Sequence, residues 1–220
     1  MNAKQLATNI KQIQTQVEAY KAQLIAVTKF VDADTTRQVV ESGVTHLGEN
    51  RSDKFLEKKA ALSDLQDQIT WHFIGHLQSR QVKLIINELD YLHSLDRLSL
   101  AKEIQKRATS PVKCFLQVNV SGEESKGGFE PDQVMTAIEA IQAYDKVQII
   151  GLMTMAPIDA TDDQLHRYFS HLKQLQVQVA ERQLAWAPCQ EISMGMSRDF
   201  PIALEEGATW VRVGTALYQE

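Results

Sequence analysis

Apolar positions along this chain alternate between two periods, that of amphipathic helices and that of short buried strands. Leu6, Ile10, Ile13, Val17 and Tyr20 recur at steps of four and three, one stripe of an opening helix. Leu24 to Thr28 is then an unbroken run with β-branched residues, which reads as a buried strand, and a helix from about Asp34 to Ser42 follows, stopped by Gly43. Val44 to Leu47 reads as a second strand, ending in Gly48-Glu49-Asn50 before a helix through about Leu62. Trp71 to Ile74 is the third strand, followed by a helix carrying Val82, Ile85, Ile86 and Leu89 on one face.

The alternation continues to the end. Tyr91 to His93 is a fourth strand, and Ser94-Leu95-Asp96 opens a helix with Leu100, Ile104 and Ala108 on its apolar face. Val112 to Val118 is the fifth strand, and a polar loop from Asn119 to Phe129 leads to Pro131, suited to the first turn of a helix that buries Val134, Ile138 and Ile141. Val147 to Ile150 is the sixth strand, ending at Gly151 to Met155 before a long helix with Leu165, Phe169, Leu172, Leu175 and Val179 on one face. Gln190 to Ser193 is the seventh, then Met194 to Ser197, a helix to about Glu206 and Gly207 as its stop. Thr209 to Val213 is the eighth.

Eight strands alternating with helices, with no linker between them, predict a single α/β domain over residues 1–220: a (β/α)8 TIM barrel of parallel strands with an extra N-terminal helix. Little chain follows strand eight, and the extra helix before strand one is expected to cover that gap. An open doubly wound sheet is the alternative.

Composition narrows the function classes. With 44% apolar and 23% charged residues, a net charge of -5 and no basic stripe, the chain suits neither nucleic acid nor an anionic membrane surface. No run is long enough to span a bilayer, and the polar N-terminus has no signal-peptide pattern, so a cytoplasmic protein is expected. Cys114 and Cys189 lack metal-ligand spacing and read as reduced, buried thiols.

Candidate chemistry starts at Lys29, at the C-terminal lip of the first strand, where barrel enzymes keep their reactive groups. Partial desolvation there would favour a neutral, imine-forming amine. If the barrel closes, strand eight lies beside strand one and Lys29 faces Arg212-Val213-Gly214-Thr215. Phosphate sites in barrels come from the loops after strands seven and eight. Ser193-Met194-Gly195-Met196-Ser197 offers two hydroxyls, a glycine for close approach and amides at a helix N-terminus, and Gly214-Thr215 repeats the pattern. A lysine facing such a cup suggests pyridoxal 5'-phosphate (PLP), and Arg212 facing its pyridine nitrogen would keep that nitrogen unprotonated, a weak electron sink. His72 and His76 fall on a strand and the loop after it, an unsuitable spacing for a metal pair. Met153, Met155, Met194 and Met196 are expected to fill the barrel mouth.

Ala26-Val27-Thr28-Lys29, Gly48-Glu49-Asn50, Trp71 to Gln78, Gly151 to Met155, Ser193 to Ser197 and Glu205 to Thr215, in that order, resemble the YggS/PROSC-type pyridoxal phosphate homeostasis protein family over essentially the whole chain. The resemblance implies a single barrel related to the N-terminal domain of alanine racemase. It implies that Lys29 carries PLP as an imine, that Arg212 lies at the pyridine nitrogen, and that Ser197, Gly214 and Thr215 hold the phosphate with backbone from Met194 to Met196. Asn50 would lie near the ring. Val31 stands where many members carry a second lysine, while Lys126 matches a family lysine.

The reading that follows is a PLP-binding protein contributing to intracellular vitamin B6 homeostasis, its partners PLP and PLP-dependent apo-enzymes. A racemase-like PLP enzyme is the alternative; it needs a second acid/base, which related racemases take from a further domain of a partner subunit, and only Tyr218 or a water could serve here. Without that domain's surface a monomer is expected. A cofactor-free imine-forming aldolase is the third reading.

Overall fold

The structure, a computed structural model, describes residues 3–123 and 126–219. Glu124 and Ser125 of the polar loop lie outside these residues. Eight parallel strands close into a barrel in sequence order: β1 (Gln23–Val27), β2 (His46–Glu49), β3 (Thr70–Phe73), β4 (Tyr91–Leu95), β5 (Val112–Gln117), β6 (Val147–Met153), β7 (Glu191–Met196) and β8 (Trp210–Val213). Closure is carried by the β1–β8 ladder, which sets Ile25 opposite Arg212 and Ala26 opposite Val213. The expected barrel is the one observed, and the open sheet is excluded.

The helices are α1 (Ala3–Ala19), α2 (Ala33–Glu41), α3 (Ser52–Ala61), α4 (Ser79–Ile85), α5 (Leu98–Arg107), α6 (Val134–Ile141), α7 (Asp162–Ala180) and α8 (Phe200–Glu205). Leu6, Ile10, Ile13 and Val17 of α1 are buried as their spacing predicts, each contributing about 1.5–3 kcal/mol of transfer free energy. Tyr20 falls past the end of α1 and is 51% exposed, so it is not part of the stripe. α1 covers the gap after β8: Asn9 Nδ2 donates to the carbonyls of Leu217 (3.1 Å) and Gln219 (2.8 Å). Thr161 and Gln164 make a reciprocal capping box at the start of α7, whose buried face holds Gln176 beside the predicted apolar residues because its Nε2 donates to the Cys189 carbonyl.

Four strands run further than their sequence pattern suggests, β6 among them, which continues past Ile150 to Met153. β2 continues through Gly48 and Glu49, with Gly48 paired to Val27. β4 takes in Ser94 and Leu95, so α5 starts only at Leu98. β7 continues to Met196, and α8 begins at Phe200 rather than directly after Ser197. A 3-10 turn over Ser63–Gln68 was not anticipated. The main core lies between barrel and helices, and a smaller cluster of Ile25, Phe115, Met153 and Trp210 fills the barrel itself. No helix among the described residues is long and apolar enough to cross a membrane.

Candidate functional site

Each strand of a parallel barrel delivers its last residues to one rim, and the predicted site residues gather there because their strands end in register. Ala26 of β1 pairs with Val213 of β8, which puts Gly214 beside Val27 at the end of β1, two residues before Lys29. The closeness is steric as well: a Cβ on Gly214 would lie 3.3 Å from Val27 Cβ. Lys29 itself is exposed, with Nζ 4.8 Å from the Phe30 ring centroid, so the expected desolvation of its amine is absent. The residue before it is the fixed point. Thr28 is fully buried, its hydroxyl bonds Glu49 Oε1 at 2.5 Å and its carbonyl accepts from Lys58 Nζ.

Ser197 ties the two rim turns together. Its Oγ accepts from the amides of Gly214 (3.1 Å) and Ala216 (3.2 Å). Thr215 opens the short 3-10 turn that follows, at the rim with Gly214. Met194 to Met196 do not form the expected cup of free helix-terminal amides. Met196 N–H donates to Asp199 Oδ1 at 2.6 Å, Met194 is buried against the outer core, and Gly195 is required by the packing of α8. At φ +90°, a Cβ on Gly195 would meet Ala203 Cβ at 2.6 Å. Of the four methionines expected at the mouth, Met153 fills the barrel and Met196 is 36% exposed, while Met194 faces the helices.

Arg212 is the chemical centre of the interior. It is 3% exposed, donates from Nη1 to Ser193 Oγ (2.5 Å) and from Nη2 to the Thr154 carbonyl (2.9 Å), and no carboxylate among the described residues lies within ion-pair distance of it. Burial pulls its pKa down to about 10, against the opposing field of Asp199. It stays charged at neutral pH, with N–H donors left for an acceptor.

Ser193 has a second partner that sequence reasoning missed. His93 Nδ1 lies 2.8 Å from its Oγ, His93 Nε2 lies 2.9 Å from His72 Nδ1, and His72 Nε2 lies 3.0 Å from His46 Nδ1. Burial holds His72 and His93 well below the usual imidazole value; the field of His46 adds to it for His72, and those of His72 and Arg212 for His93. Half-exposed His46 is lowered by burial too, and Asp90 opposes the shift. These residues are 21 or more apart in the chain, and only the inward alternation of three neighbouring strands could have pointed to them. His76 is separate, at the rim and 2.9 Å from Asp96 Oδ2. Asn50 lines a rim cleft of about 410 Å³ with His76 and Gln78.

Lys126 donates its backbone N–H to Glu123 O in the polar loop. Cys114 and Cys189 are buried free thiols, pushed up by burial, Cys189 to about 12. Burial, followed by the field of Glu49, raises the pKa of Tyr218. Among the described residues no group of three or more His, Cys, Asp or Glu side chains is placed to hold a metal ion.

These donors match the functional groups of a phosphorylated pyridine aldehyde. The exposed primary amine of Lys29 suits an aldehyde, the buried guanidinium of Arg212 suits a ring nitrogen, and Ser197 with the Gly214-Thr215 turn suits a phosphate. A family profile described as Alanine racemase, N-terminal domain matches residues 1–220. The pyridoxal phosphate homeostasis protein of Aquifex aeolicus is 40% identical over 202 residues, covering 90% of this chain and 87% of its own. That of Pseudomonas aeruginosa is 36% identical over 198 residues, covering 89% and 83%. The solved structure of PipY from Synechococcus elongatus with PLP bound has a TM-score of 0.88 at 33% identity, over 97% of this chain and 100% of that one. Alanine racemase from Corynebacterium glutamicum shares the fold, with a TM-score of 0.79 at 14% identity over 99% of this chain and 62% of that one.

Proposed function

The chain belongs to the family of the alanine racemase N-terminal domain, and on that premise we propose that it binds PLP and contributes to vitamin B6 homeostasis in the cytoplasm as a monomer. Its similarity to proteins of that name, and to a structure with PLP bound, supports this reading. The observation that carries it is Arg212: a buried arginine, free of carboxylates among the described residues, at the inner end of a rim that also presents a lysine and two turns tied by Ser197.

Lys29 Nζ would hold PLP through its aldehyde carbon. Arg212 donates to the ring nitrogen and, being charged across the neutral range, leaves that nitrogen unprotonated. Ser197, Gly214 and Thr215 hold the phosphate, and Ser193 holds Arg212. Asn50, which follows the end of β2, would lie near the ring. When bound, PLP supplies an electron sink, and pairing with arginine makes it a weak one. That choice suits storage over turnover. Apo-enzymes that need PLP are the recipients.

An absorption spectrum of the purified protein before and after borohydride, with mapping of the modified peptide, tests the reading. Modification at Lys29, lost in Lys29→Ala, is expected. A protein that stays colourless after added PLP rejects it, and steady-state amino-acid racemisation abolished by Lys29→Ala replaces it with an enzyme.

A further inference from the structure

Barrel interiors are filled by branched apolar side chains, yet this one carries three imidazoles in hydrogen-bonded file on β2, β3 and β4. Burying such groups is costly unless each nitrogen is paired, and the pairing here is continuous from Ser193 to His46. The file is also held laterally. Tyr91 stacks on His72 at 4.6 Å, Phe115 stacks on His93 at 4.2 Å, and Trp210 meets His46 edge-on at 4.8 Å. One end is Arg212, through Ser193. The other is His46, which lines a cleft of about 160 Å³ at the opposite face of the barrel together with Gln14, Glu18, Gln23 and Thr45.

The geometry restricts the protons. Each nitrogen–nitrogen contact must hold one hydrogen, so the position of one proton dictates the others. With all three rings neutral, two arrangements are self-consistent. In the first, Ser193 donates its hydroxyl hydrogen to His93 Nδ1, and every ring carries its proton on Nε2. In the second, every ring carries its proton on Nδ1, Ser193 Oγ accepts from both His93 and Arg212, and its own hydrogen needs another acceptor; none is bonded to it among the described residues. The first arrangement therefore prevails, and in it Arg212 is the sole donor to Ser193 Oγ among the described residues, whereas in the second it shares that oxygen with His93 and is held more weakly. A proton added at His46 occupies both its nitrogens, so Nδ1–H must point at His72 Nε2. That drives the whole file into the second arrangement.

We infer that His46, His72 and His93 form a proton relay joining the barrel floor to Arg212, so that protonating His46 and holding a ring nitrogen at Arg212 oppose each other. The relay rests on the PLP reading only for what sits at Arg212; the proton order within the file does not. Thermodynamic linkage makes the effect reciprocal: acid at the floor weakens retention at the rim, and occupancy at the rim makes His46 harder to protonate. The charged and titratable groups that face the relay are Asp90 and Glu18 near His46, Tyr91 across His72, and Arg212 near His93. Asp90 favours protonation at the floor and Arg212 resists it at the far end, so the file is biased to deliver a proton no further than His46 in the resting state.

Nitrogen-15 NMR of histidine-labelled, PLP-free protein reads the proton positions directly. At pH 8 all three rings are expected to be protonated on Nε2 alone, and on acidification the protons of His72 and His93 move to Nδ1 as His46 becomes doubly protonated. Mixed positions, or a His46 that titrates while His72 and His93 stay unchanged, overturn the relay. In the loaded protein the His46 midpoint is expected at lower pH than in the free protein, and Ser193→Ala or His72→Phe should abolish the difference. A difference that survives both variants also overturns it, and whichever of the two folds serves. Retention of PLP should weaken about fivefold more between pH 8 and pH 5 in the natural protein than in His46→Gln; equal weakening is a third refutation. Protein that takes up no PLP rejects the cofactor reading alone, since the free-state proton order remains measurable.

Discussion

Lys58 and Glu49 make an ion pair of 2.6 Å between α3 and the end of β2, with side chains only 4% and 0% exposed. Lys58 Nζ also donates to the Thr28 carbonyl, and Thr28 Oγ1 bonds the same carboxylate oxygen, so the pair clamps the backbone one residue before Lys29. The position of the candidate anchor is thus set by charges on the outer wall of the barrel. An exposed lysine on a locked backbone can reach its ligand without the strand end moving.

Replacing Lys58 with methionine keeps most of its volume but leaves Glu49 charged and buried. Breaking a buried pair from one side costs about 3–5 kcal/mol. Urea unfolding of Lys58→Met should show a loss of that size, whereas a double variant, Lys58→Met with Glu49→Leu, should recover most of it. A single variant as stable as the natural protein would mean that the carboxylate finds water on its own.

Arg212→Ala removes a donor to the ring nitrogen. A hydrogen bond from a charged group contributes about 1.5–3 kcal/mol, so PLP retention should fall roughly tenfold to a hundredfold. Arg212→Lys supplies charge without the fork that spans Ser193 and Thr154, and it should recover only part of the loss. Equilibrium dialysis of the three proteins against PLP measures this. Unchanged affinity in Arg212→Ala would remove the arginine from the site.

The buried imidazoles make stability depend on pH in a known direction. His72 and His93 have folded-state values well below the ordinary one, so the unfolded chain binds more protons in the window between the two. Stability is therefore fully present above about pH 6.5 and falls as the pH drops through the window, by up to about 1.4 kcal/mol per pH unit for each ring. The lowered carboxylates of Asp32, Asp53, Asp64 and Glu103 lose their contribution only at more acidic pH, which keeps the two regimes apart. Denaturant unfolding at pH 7.5, 6.5 and 5.5 should show the slope, and His93→Gln should reduce it. A flat profile would mean that the rings are charged in the folded protein.

Much of this was legible before the structure. Periodicity separates strands from helices wherever the apolar pattern is unmixed, and eight such alternations specify a barrel. The errors fall where glycine and charge imitate loops. Gly48-Glu49 looks like a turn, but Glu49 is buried by its pairing with Lys58, and Gly48 is small because Ile25 Cγ2 would lie 2.9 Å from a Cβ there. Lys58 itself sits in a charged helix segment and looks solvated until α3 packs on β2. The nearness of the Gly214 turn to the end of β1 was readable from position because a closed barrel puts strand eight beside strand one. The histidine file was not: His46, His72 and His93 become neighbours only through the registers of β2, β3 and β4, and His46 begins its strand where the sequence places the middle of one.

Gly195 separates packing from ligand binding in the loop after β7. Its φ of +90° belongs to the left-handed region that favours glycine, and a Cβ there would meet Ala203 Cβ at 2.6 Å and Phe200 Cα at 2.9 Å. A methyl group must therefore push α8 outward, and α8 carries Phe200, Ala203 and Leu204 into the core. Backbone strain of this kind costs about 1–3 kcal/mol, before any overpacking. Gly195→Ala is expected to lower the unfolding midpoint by a matching amount and to weaken PLP retention as well, because Ser197, two residues on, holds the Gly214 and Ala216 amides in place. Adding Ala203→Gly removes the nearest obstruction without touching φ. If crowding dominates, the double variant should regain both stability and retention; if the dihedral dominates, neither should return.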